Sequence, residues 1–488
     1  MGFFGVLTPT EDAYWADSVN GSDSNTGTQT APFQSLTKLQ SADAAANKSR
    51  WELVTGSHWT GQQLTVPRAG MTIAAYGSGA KPIIDCGVGI TAVIWVKTGG
   101  YTNIYEAAGL TVVNAPGGAQ WVNVWANGIT HQLLRAASLA ALDAAIVPTY
   151  FVDSDLPPFK VYVNLQANPG SLANGYVEYT GVSQGLSSLH STTIIGIQTQ
   201  RNFANNGSLE VDAPSTLVNV QCDYGAKHNC LLAPGCTVYG MSLNYSYYAG
   251  GNANMLILFG TWAPGLGEII NNLTITNYGL GGTFDTSNVV GVYAHGAGSG
   301  GGPFYFSNPN ITGIGTALAF EGETTSAVTV VGGTIGTVGS PVQAAWTPGG
   351  YTWTISNLNA YATLNVGGFD SGYNKVTNST LIAAPGHGVF YVPSVYAPPM
   401  TIDVQGSTLA GGVAFDINYA NPILVNSHND LTGITTYAIK ISSPFVYTGD
   451  YNTYYSGWTN LFAKQSPFTN YTFAQWQTLT GQDTHSTN

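Results

Sequence analysis

The feature that most constrains the fold of this chain is an internal repeat that begins near residue 215. From there the sequence divides into nine successive lines, each made of short runs of Val, Ile, Leu and Thr that Gly, Asn or Ser interrupts. The residues that end eight of these lines are Phe259, His295, Glu321, Trp346, Asp370, Tyr391, Asp416 and Lys440. After a first interval of 36 residues, the spacing between them stays between 21 and 26 residues.

This repeat predicts a parallel β-helix. Short alternating apolar runs are typical of strands, and no helical pattern separates them. Equivalent strands of successive turns then stack about 4.8 Å apart. The long first interval predicts an insertion before His295. A second column predicts a ladder of polar side chains at a turn, and its members are Asp223-Tyr224, Asn244-Tyr245 and Asn277-Tyr278.

Short helices are predicted at both ends of the chain. Phe33, Leu36 and Leu39 have helical spacing within residues 32–46, and residues 471–481 have a similar pattern. Such helices can cover the open ends of a solenoid core.

The rest of the chain is predicted to belong to one all-β solenoid domain. Residues 133–165 predict a short helix followed by a hairpin, inserted on the first turns. The predicted division is an N-terminal cap region over 1–50, the parallel β-helix over 51–450 and a C-terminal cap segment over 451–488.

Composition restricts the classes of partner. Only 8% of the residues are charged, against about 25% in an average protein, which argues against a coiled coil or a disordered tail. The net charge is −12 and the 13 Lys and Arg residues are scattered, so nucleic acid is not an expected partner. No apolar run approaches the roughly 18 to 20 residues of a membrane span.

Metal-binding patterns are weak. The four cysteines Cys86, Cys222, Cys230 and Cys236 lack metal-site spacing, and one disulfide among the last three stays open. The segment DSVNGSDSNTG offers oxygen ligands for calcium at Asp17, Asn20, Asp23 and Asn25. It lacks the EF-hand pattern and needs no metal as a turn, so we expect no cofactor and keep calcium as the alternative.

Three segments resemble the pectate-lyase-like right-handed parallel β-helix superfamily. They are the opening YWADSVNGSDSNTGTQTAPFQSLTKL, the hairpin TYFVDSDLPPFKVYVNL and the closing YNTYYSGWTNLF with FAQWQTLTGQDTHS. The superfamily includes polysaccharide lyases, glycoside hydrolases and phage tailspike depolymerases, so the resemblance implies an extracellular protein with a carbohydrate substrate and leaves the reaction open. A tailspike on a virion surface would be a homotrimer, and a secreted enzyme would be a monomer.

The column of line-ending residues predicts a glycan-binding stripe with a hydrolytic site. Glu321 and Asp370 lie two turns apart, near the spacing of an inverting glycosidase, with Glu321 as general acid and Asp370 as base. His295 and Glu323 are expected to support them. The expected substrate-binding residues are Phe259, Tyr293, Trp346, Tyr391, Asp416 and Asp223, because aromatic rings stack on sugars and carboxylates bond hydroxyls.

Two alternatives stay open. A lyase needs a cation, a base and an acid, which Lys227, His228 and Tyr248 can supply, with Arg201 as a further candidate. Because the chain has few basic residues and a net charge of −12, it would attract a polyanionic lyase substrate poorly, which favours hydrolysis over elimination. The other alternative is a non-catalytic glycan-binding spike that keeps the aromatic stripe without a productive acid pair.

Overall fold

A computed structural model gives the structure of the chain. It describes residues 12–112, 122–128, 132–154, 157–202, 207–225, 227–246, 253–259, 266–277, 289–295, 303–320, 327–337, 342–344, 352–362, 367–368, 372–392, 400–418, 421–442, 444–454, 461–465 and 468–487. The chain divides into two compact units, Met1–Leu231 with Tyr247–Ala249, and Leu232–Ser246 with Gly250–Asn488.

The first unit contains the predicted N-terminal helix, which follows the strand Ala13–Ala16. Helix α1 spans Leu36–Ala46, and the Ser35 side chain caps it by accepting from the backbone N–H of Lys38. Leu36 and Leu39 are fully buried, as the spacing predicts. The helix begins later than residue 32 because Phe33 pairs as an isolated bridge with the first strand.

Strands of the first unit stack in parallel on three faces of a solenoid, which we call the first, second and third sheets. The first sheet contains Ala13–Ala16, Arg50–Val54, Met71–Tyr76, Thr192–Ile195 and the start of Thr216–Gly225. The second contains His58–Thr60, Ile83–Asp85, Gln198–Gln200 and the end of Thr216–Gly225. The third contains Leu64–Val66, Leu186–Ser188, Leu209–Val211 and His228–Leu232.

Between Asp85 and Leu186 the chain leaves these sheets and forms two small antiparallel sheets. One contains Gly87–Gly89, Val124–Ala126 and Val177–Thr180. The other contains Val96–Lys97, Tyr105–Leu110, Leu134–Arg135, Thr149–Val152 and Phe159–Asn164, with only the Leu134–Arg135 pairing parallel. Helix α2 (Leu139–Asp143) and the short 3₁₀ turns Ala92–Ile94 and Pro169–Ser171 complete this inserted region. It has an apolar core of its own around Tyr150, Phe159 and Val161.

The second unit repeats the three parallel sheets. Its first sheet contains Thr237–Ser246, Glu268–Thr276, Phe304–Ser307, Ala327–Val331, Thr352–Ser356, Gly372–Thr377, Met400–Gln405, Ile423–Ser427 and Val446–Asp450. The ends of the first two strands continue into the second sheet with Asn310–Ile314, Thr334–Thr337, Asn359–Ala362, Thr380–Ile382, Thr408–Ile417, Asp430–Ile441 and Thr453–Tyr454.

The third sheet of this unit contains Ala253–Phe259, Val289–His295, Thr316–Phe320, Val342–Ala344, Gly367–Gly368, Gly388–Val392, the ends of Thr408–Ile417 and Asp430–Ile441, and Phe462–Gln465. Phe468–Tyr471 adds an antiparallel strand to the last of these. The parallel β-helix predicted from the repeat is confirmed.

Rows of apolar side chains stack from turn to turn in the interior. Phe320, for example, is fully buried and packs edge-on against Phe304 and Trp353, with ring centroids 5.1 and 5.2 Å away. Because side chains alternate across a strand, the neighbours of such residues point outward.

The predicted polar ladder at the turns is present in part. Ser246 donates its backbone N–H to Asn277 Oδ1 at 3.2 Å, so Asn277 does bond from turn to turn. Tyr224 and Tyr245 adopt left-handed φ angles of 54° and 55°, which marks the same turn. Asp223 instead accepts from glutamines of its own sheet.

A second ladder, not predicted, runs through five successive steps in the second unit. In each step a backbone N–H donates to a Ser or Asn side chain one turn further on. The steps run from Leu358 to Ser379, Ser407, Asn429, Asn452 and Ser486, at 2.8 to 3.2 Å.

Removing one member of this ladder should destabilise the protein. Asn429 is 2% exposed, accepts from Ser407 and donates to the carbonyl of Val404 and to Asn426. We expect Asn429→Ala to lower the free energy of unfolding by about 2 to 3 kcal/mol, because buried polar partners lose their bonds. Urea unfolding measures this. The exposed Asn359→Ala, as control, should change it by less than about 0.5 kcal/mol, and an equal effect of both would contradict the account.

The C-terminal helix is confirmed. Helix α3 spans Phe473–Thr480 and begins with a capping box between Thr472 and Gln475. Trp476 is fully buried and stacks on Phe462 at 4.8 Å, which closes the apolar interior at this end. In the part of the chain that the structure describes, no helix has the length and apolar character needed to cross a membrane.

Candidate functional site on the third sheet

One outward row of the third sheet is fixed by strand register across eight turns of the second unit. We call it the Tyr391 column, and its members are Ile257, Tyr293, Ala319, Gln343, Gly368, Tyr391, Asp416 and Lys440. The adjacent residues Val292, Ala294, Phe390 and Phe415 are fully or almost fully buried, so the column lies on the outer side of the sheet. Tyr293, between two buried neighbours, therefore points outward.

The predicted single column combines two neighbouring columns, so that part of the alignment is wrong. Tyr391 pairs with Gly368 and not with Asp370, which lies two residues further along the chain. Phe259 and His295 do pair with each other, but they lie two residues beyond Ile257 and Tyr293, which belong to the Tyr391 column. The cause is that the prediction aligned the last residue of each line, whereas the strands end at different points of their lines. A slip of two residues keeps a side chain on the same face of the sheet, so the alternation predicts both columns on its outer side.

A following column lies two residues further along each strand. Counted in sequence from the Tyr391 column, its positions are Phe259, His295, Glu321, Ala345, Asp370, Pro393, Asn418 and Ser442. Ser442 Oγ donates to Asn418 Oδ1 at 3.2 Å, so its last two members are in contact. Glu321, Glu323, Trp346 and Asp370 lie outside the described residues, as do the side chains of Phe259 and His295.

The C-terminal end of the Tyr391 column is accessible. Tyr391 is 38% exposed, and beside it Lys440 Nζ lies 3.1 Å from Asp416 Oδ2 with both side chains partly exposed. Such an exposed ion pair adds little stability. It does hold a cation and a carboxylate next to an aromatic ring. Tyr293 is half-buried, and Ile257 and Ala319 are buried, so the opposite end of the column is covered.

The residues of the alternative lyase set lie in the first unit. Asp223 is 4% exposed, and its Oδ2 accepts from Gln198 and Gln221 at 2.9 and 2.7 Å. His228 is 4% exposed at the start of its strand, and Lys227 is half-buried. Burial lowers the pKa of Lys227, which increases the fraction of neutral amine. Tyr248 lies outside the described residues.

Sequence reasoning missed a buried charge network in the first unit, which we call the Asp85 cluster. Asp85 is fully buried, and Arg201 donates to both its oxygens at 2.7 and 2.6 Å. His58 Nε2 and Gln200 Nε2 lie 2.8 and 2.7 Å from Asp85 Oδ2, and Arg201 also donates to Glu178 of the inserted region at 2.7 Å. Only Arg201 carried a sequence signal, as an isolated basic residue beside a strand.

The electrostatics of Asp85 follow from these contacts. Burial by itself raises its pKa, but the hydrogen bonds from His58 and Arg201 and the charge of Arg201 hold the pKa well below its usual range. The guanidinium also lies 5.3 Å from the Trp125 ring, which favours a cation there. Arg201 therefore stays charged and links Glu178 of the inserted region to Asp85 of the second sheet.

The acidic segment considered for calcium forms ordinary turns. Asp17 accepts from the backbone N–H groups of Val19 and Asn20, and Asp23 accepts from Gln34 and Ser35. Among the described residues, no group of three or more His, Cys, Asp or Glu could hold a metal ion. All four cysteines are buried thiols, and none of them is in a disulfide.

No family model and no curated protein matches the chain. Among solved structures it is similar to XylC in complex with xylose, at 11% identity over 91% of this chain and 83% of the other, with a TM-score of 0.48. It is similar to a GH136 lacto-N-biosidase from Eubacterium ramulus at 13% identity, 91% and 68% coverage and a TM-score of 0.31. It is also similar to the Pseudomonas phage phi297 tailspike gp61, at 10% identity over 88% of this chain and 70% of the other, with a TM-score of 0.29. These similarities concern the fold.

Proposed function

We propose that the protein binds and cleaves an extracellular or capsular polysaccharide along the third sheet of its second unit. The observation that carries this proposal is the strand register, which aligns outward residues over eight turns. At about 4.8 Å a turn, the accessible end of this row from Tyr391 to Lys440 is roughly 10 Å long, which suits about two sugar units. Tyr391 offers a ring face to a sugar, and Asp416 with Lys440 offers partners for hydroxyl groups.

The preferred reaction is inverting glycoside hydrolysis. Glu321 and Asp370 each follow by two residues a member of the Tyr391 column, Ala319 and Gly368, which are two turns apart. Two turns separate backbones by roughly 9.6 Å. Carboxyl groups about 6.5 to 9.5 Å apart leave room for a water between base and sugar. This supports Glu321 as general acid and Asp370 as the base that activates water.

Other residues of the two columns would position the substrate. His295 precedes Glu321 by one turn in the following column and would orient it, with Glu323 nearby in sequence. Phe259 and Tyr293 would extend the binding surface. Trp346 follows Gln343 by three residues, whereas members of the following column lie two residues after their counterparts. The strand register therefore does not support the predicted position of Trp346 between Glu321 and Asp370.

Substituting either acid should abolish most of the activity. We expect Glu321→Gln and Asp370→Asn each to lower kcat by about 10² to 10⁴-fold, because a positioned acid or base contributes that much. Glu321→Gln should remove the alkaline limb of the pH–rate profile and Asp370→Asn the acidic limb. Initial rates of reducing-end release measure this. The exposed Asp430→Asn on the second sheet is the control, and full activity of either acid variant would contradict the assignment.

A second candidate reaction is β-elimination on a uronate-containing glycan. The adjacency of half-buried Lys227 and His228 favours it, because elimination needs a cation for the uronate carboxylate and a base for the sugar proton. His228 and Tyr248 would complete that set. An unsaturated product that disappears in Lys227→Met would support this reaction over hydrolysis.

We further propose an extracellular location, on a cell exterior or a virion surface, since that is where the proposed substrate occurs. A virion protein of this kind would be a homotrimer. A spike that binds the glycan without cleaving it is the remaining alternative, and it predicts retention of the polysaccharide with no new ends.

A further inference from the structure

The first sheet of the second unit carries an outward cluster away from the two columns of the third sheet. Tyr373 and Lys375 lie two residues apart on one strand, and Asp403 pairs with Lys375 on the next. The alternate residues Asn374 and Ile402 are buried, so Tyr373 and Lys375 point outward. Tyr373 is 42% exposed, so its ring is available to a ligand.

The tyrosine ring is held in place by a buried carboxylate. Asp403 is 6% exposed, and its Oδ2 accepts from the Tyr373 hydroxyl at 2.6 Å. Its Oδ1 accepts from Gln405 Nε2 at 2.8 Å. The bond to Asp403 raises the pKa of Tyr373 to about 12, so the phenol keeps its proton at neutral pH. A ring fixed in this way loses little entropy when a ligand stacks on it.

Lys375 supplies a cation that no described residue neutralises. No carboxylate of the described chain lies within ion-pair distance of its ammonium group, although Asp403 is its register partner. Both oxygens of that carboxylate are engaged by Tyr373 and Gln405. The outward neighbours Thr354 and Thr377 add hydroxyl groups. Since the Asp403 carboxylate is already bonded by two neutral groups, an ammonium group with no ion-pair partner among the described residues can bind a further anion.

Ring and cation are separated by the length of one sugar. Residues two apart on a strand are roughly 6.6 Å apart, so a pyranose ring stacked on Tyr373 would bring a ring carboxylate toward Lys375. A sugar without a negative charge would use the ring and hydroxyls and leave the ammonium unused.

We propose that Tyr373 and Lys375, with the hydroxyl groups around them, form a second binding site on the first sheet, for an acidic, carboxylated sugar residue of a polysaccharide. The site binds and does not cleave, and it lies on a different sheet from the proposed reaction. It would retain an acidic polymer on a protein whose net charge of −12 otherwise repels it.

The test is calorimetric titration of the full chain carrying Glu321→Gln, which prevents turnover under the proposed function. The probes are galacturonate and glucuronate trisaccharides and their methyl esters, which keep the sugar and remove the charge. We expect a free-acid probe to bind at least 10-fold more tightly than its ester. Adding Lys375→Gln should remove this preference, and adding Tyr373→Ala should weaken both forms at least 10-fold.

Two controls separate binding from folding. Lys464→Gln, on the third sheet, should leave binding unchanged, and Tyr373→Phe should keep most of it because the ring remains. Thermal unfolding of each variant reports whether it is folded. The proposal would be overturned if the Glu321→Gln chain bound the free-acid trisaccharides with the same affinity with and without Lys375→Gln. It would also be overturned if neither free-acid trisaccharide bound. Neither result tests the proposed cleavage, which is measured separately by product release from the wild-type chain.

Discussion

Raising the pH from about 5 to 9 is expected to destabilise the protein through Glu268. This side chain is 1% exposed at the start of its strand in the first sheet, where it pairs with Phe304 of the next turn. Its carboxyl oxygens accept no hydrogen bond from another described residue. Burial raises its pKa to about 8.

The direction of the pH dependence follows from this raised pKa. The folded chain binds the Glu268 proton more tightly than the unfolded chain, whose Glu pKa is about 4.3. The stabilising contribution is therefore complete below about pH 4 and is lost as the pH rises from there to about 8. Each pKa unit corresponds to about 1.4 kcal/mol, so the loss approaches 4 to 5 kcal/mol.

Glu268→Gln isolates this contribution, because glutamine is similar in shape and does not titrate. We expect the wild type to lose stability relative to Glu268→Gln by about 4 kcal/mol between pH 5 and pH 9, measured by urea unfolding at each pH. Asp430→Asn, which changes an exposed carboxylate, should follow the wild type at every pH. Parallel curves for wild type and Glu268→Gln would show that the carboxyl group is solvated or paired.

Asp85→Ala is expected to destabilise the first unit by about 3 to 5 kcal/mol. Arg201 is almost fully buried, with a side-chain exposure of 3%, and would lose both bonds to Asp85 while keeping one to Glu178. A buried charge without its partner is the reason for so large an effect, since the desolvation of the guanidinium is no longer compensated.

A double variant distinguishes this cause from simple loss of packing. Asp85→Leu with Arg201→Met removes both charges and should be less destabilising than Asp85→Ala alone. Glu106→Gln is the matched control, because its ion pair with Lys160 at 3.2 Å is partly exposed and should contribute less than about 1 kcal/mol. Urea unfolding and proteolysis of the inserted region report the effects. If the double variant is the less stable one, the charge argument fails.

The sequence predicted the fold well because one rule acts repeatedly. Apolar side chains such as Val292, Ala294 and Phe320 stack inside each turn, so the alternation that buries them recurs in every line of the repeat. The terminal helices were predictable for a similar reason, since Leu36, Leu39 and Trp476 bury apolar faces with helical spacing.

The alternation within each strand is visible in the sequence, whereas the register between strands is not. Orientation depends on a period of two, which a short strand already reveals, whereas register depends on where each strand begins relative to its neighbour. Between Gly368 and Tyr391 the sequence offers no marker of that point, so Tyr391 was aligned with Asp370.

Contacts between distant residues were beyond sequence reasoning. Asp85 and Arg201 are 116 residues apart, and the inserted region separates turns that are adjacent in space. Tyr373 and Asp403 are 30 residues apart on adjacent strands. Only the register shows that they meet.

The most direct test of the proposed function is the product formed from polysaccharides. Purified protein would be incubated with a panel of neutral and uronate-containing bacterial and plant polysaccharides, with reducing ends and the near-ultraviolet absorbance of unsaturated uronates read together. We predict new reducing ends without absorbance from at least one polymer, and none from Glu321→Gln or Asp370→Asn. Absorbance would contradict hydrolysis and direct attention to Lys227 and His228, and no product from any polymer would contradict cleavage altogether.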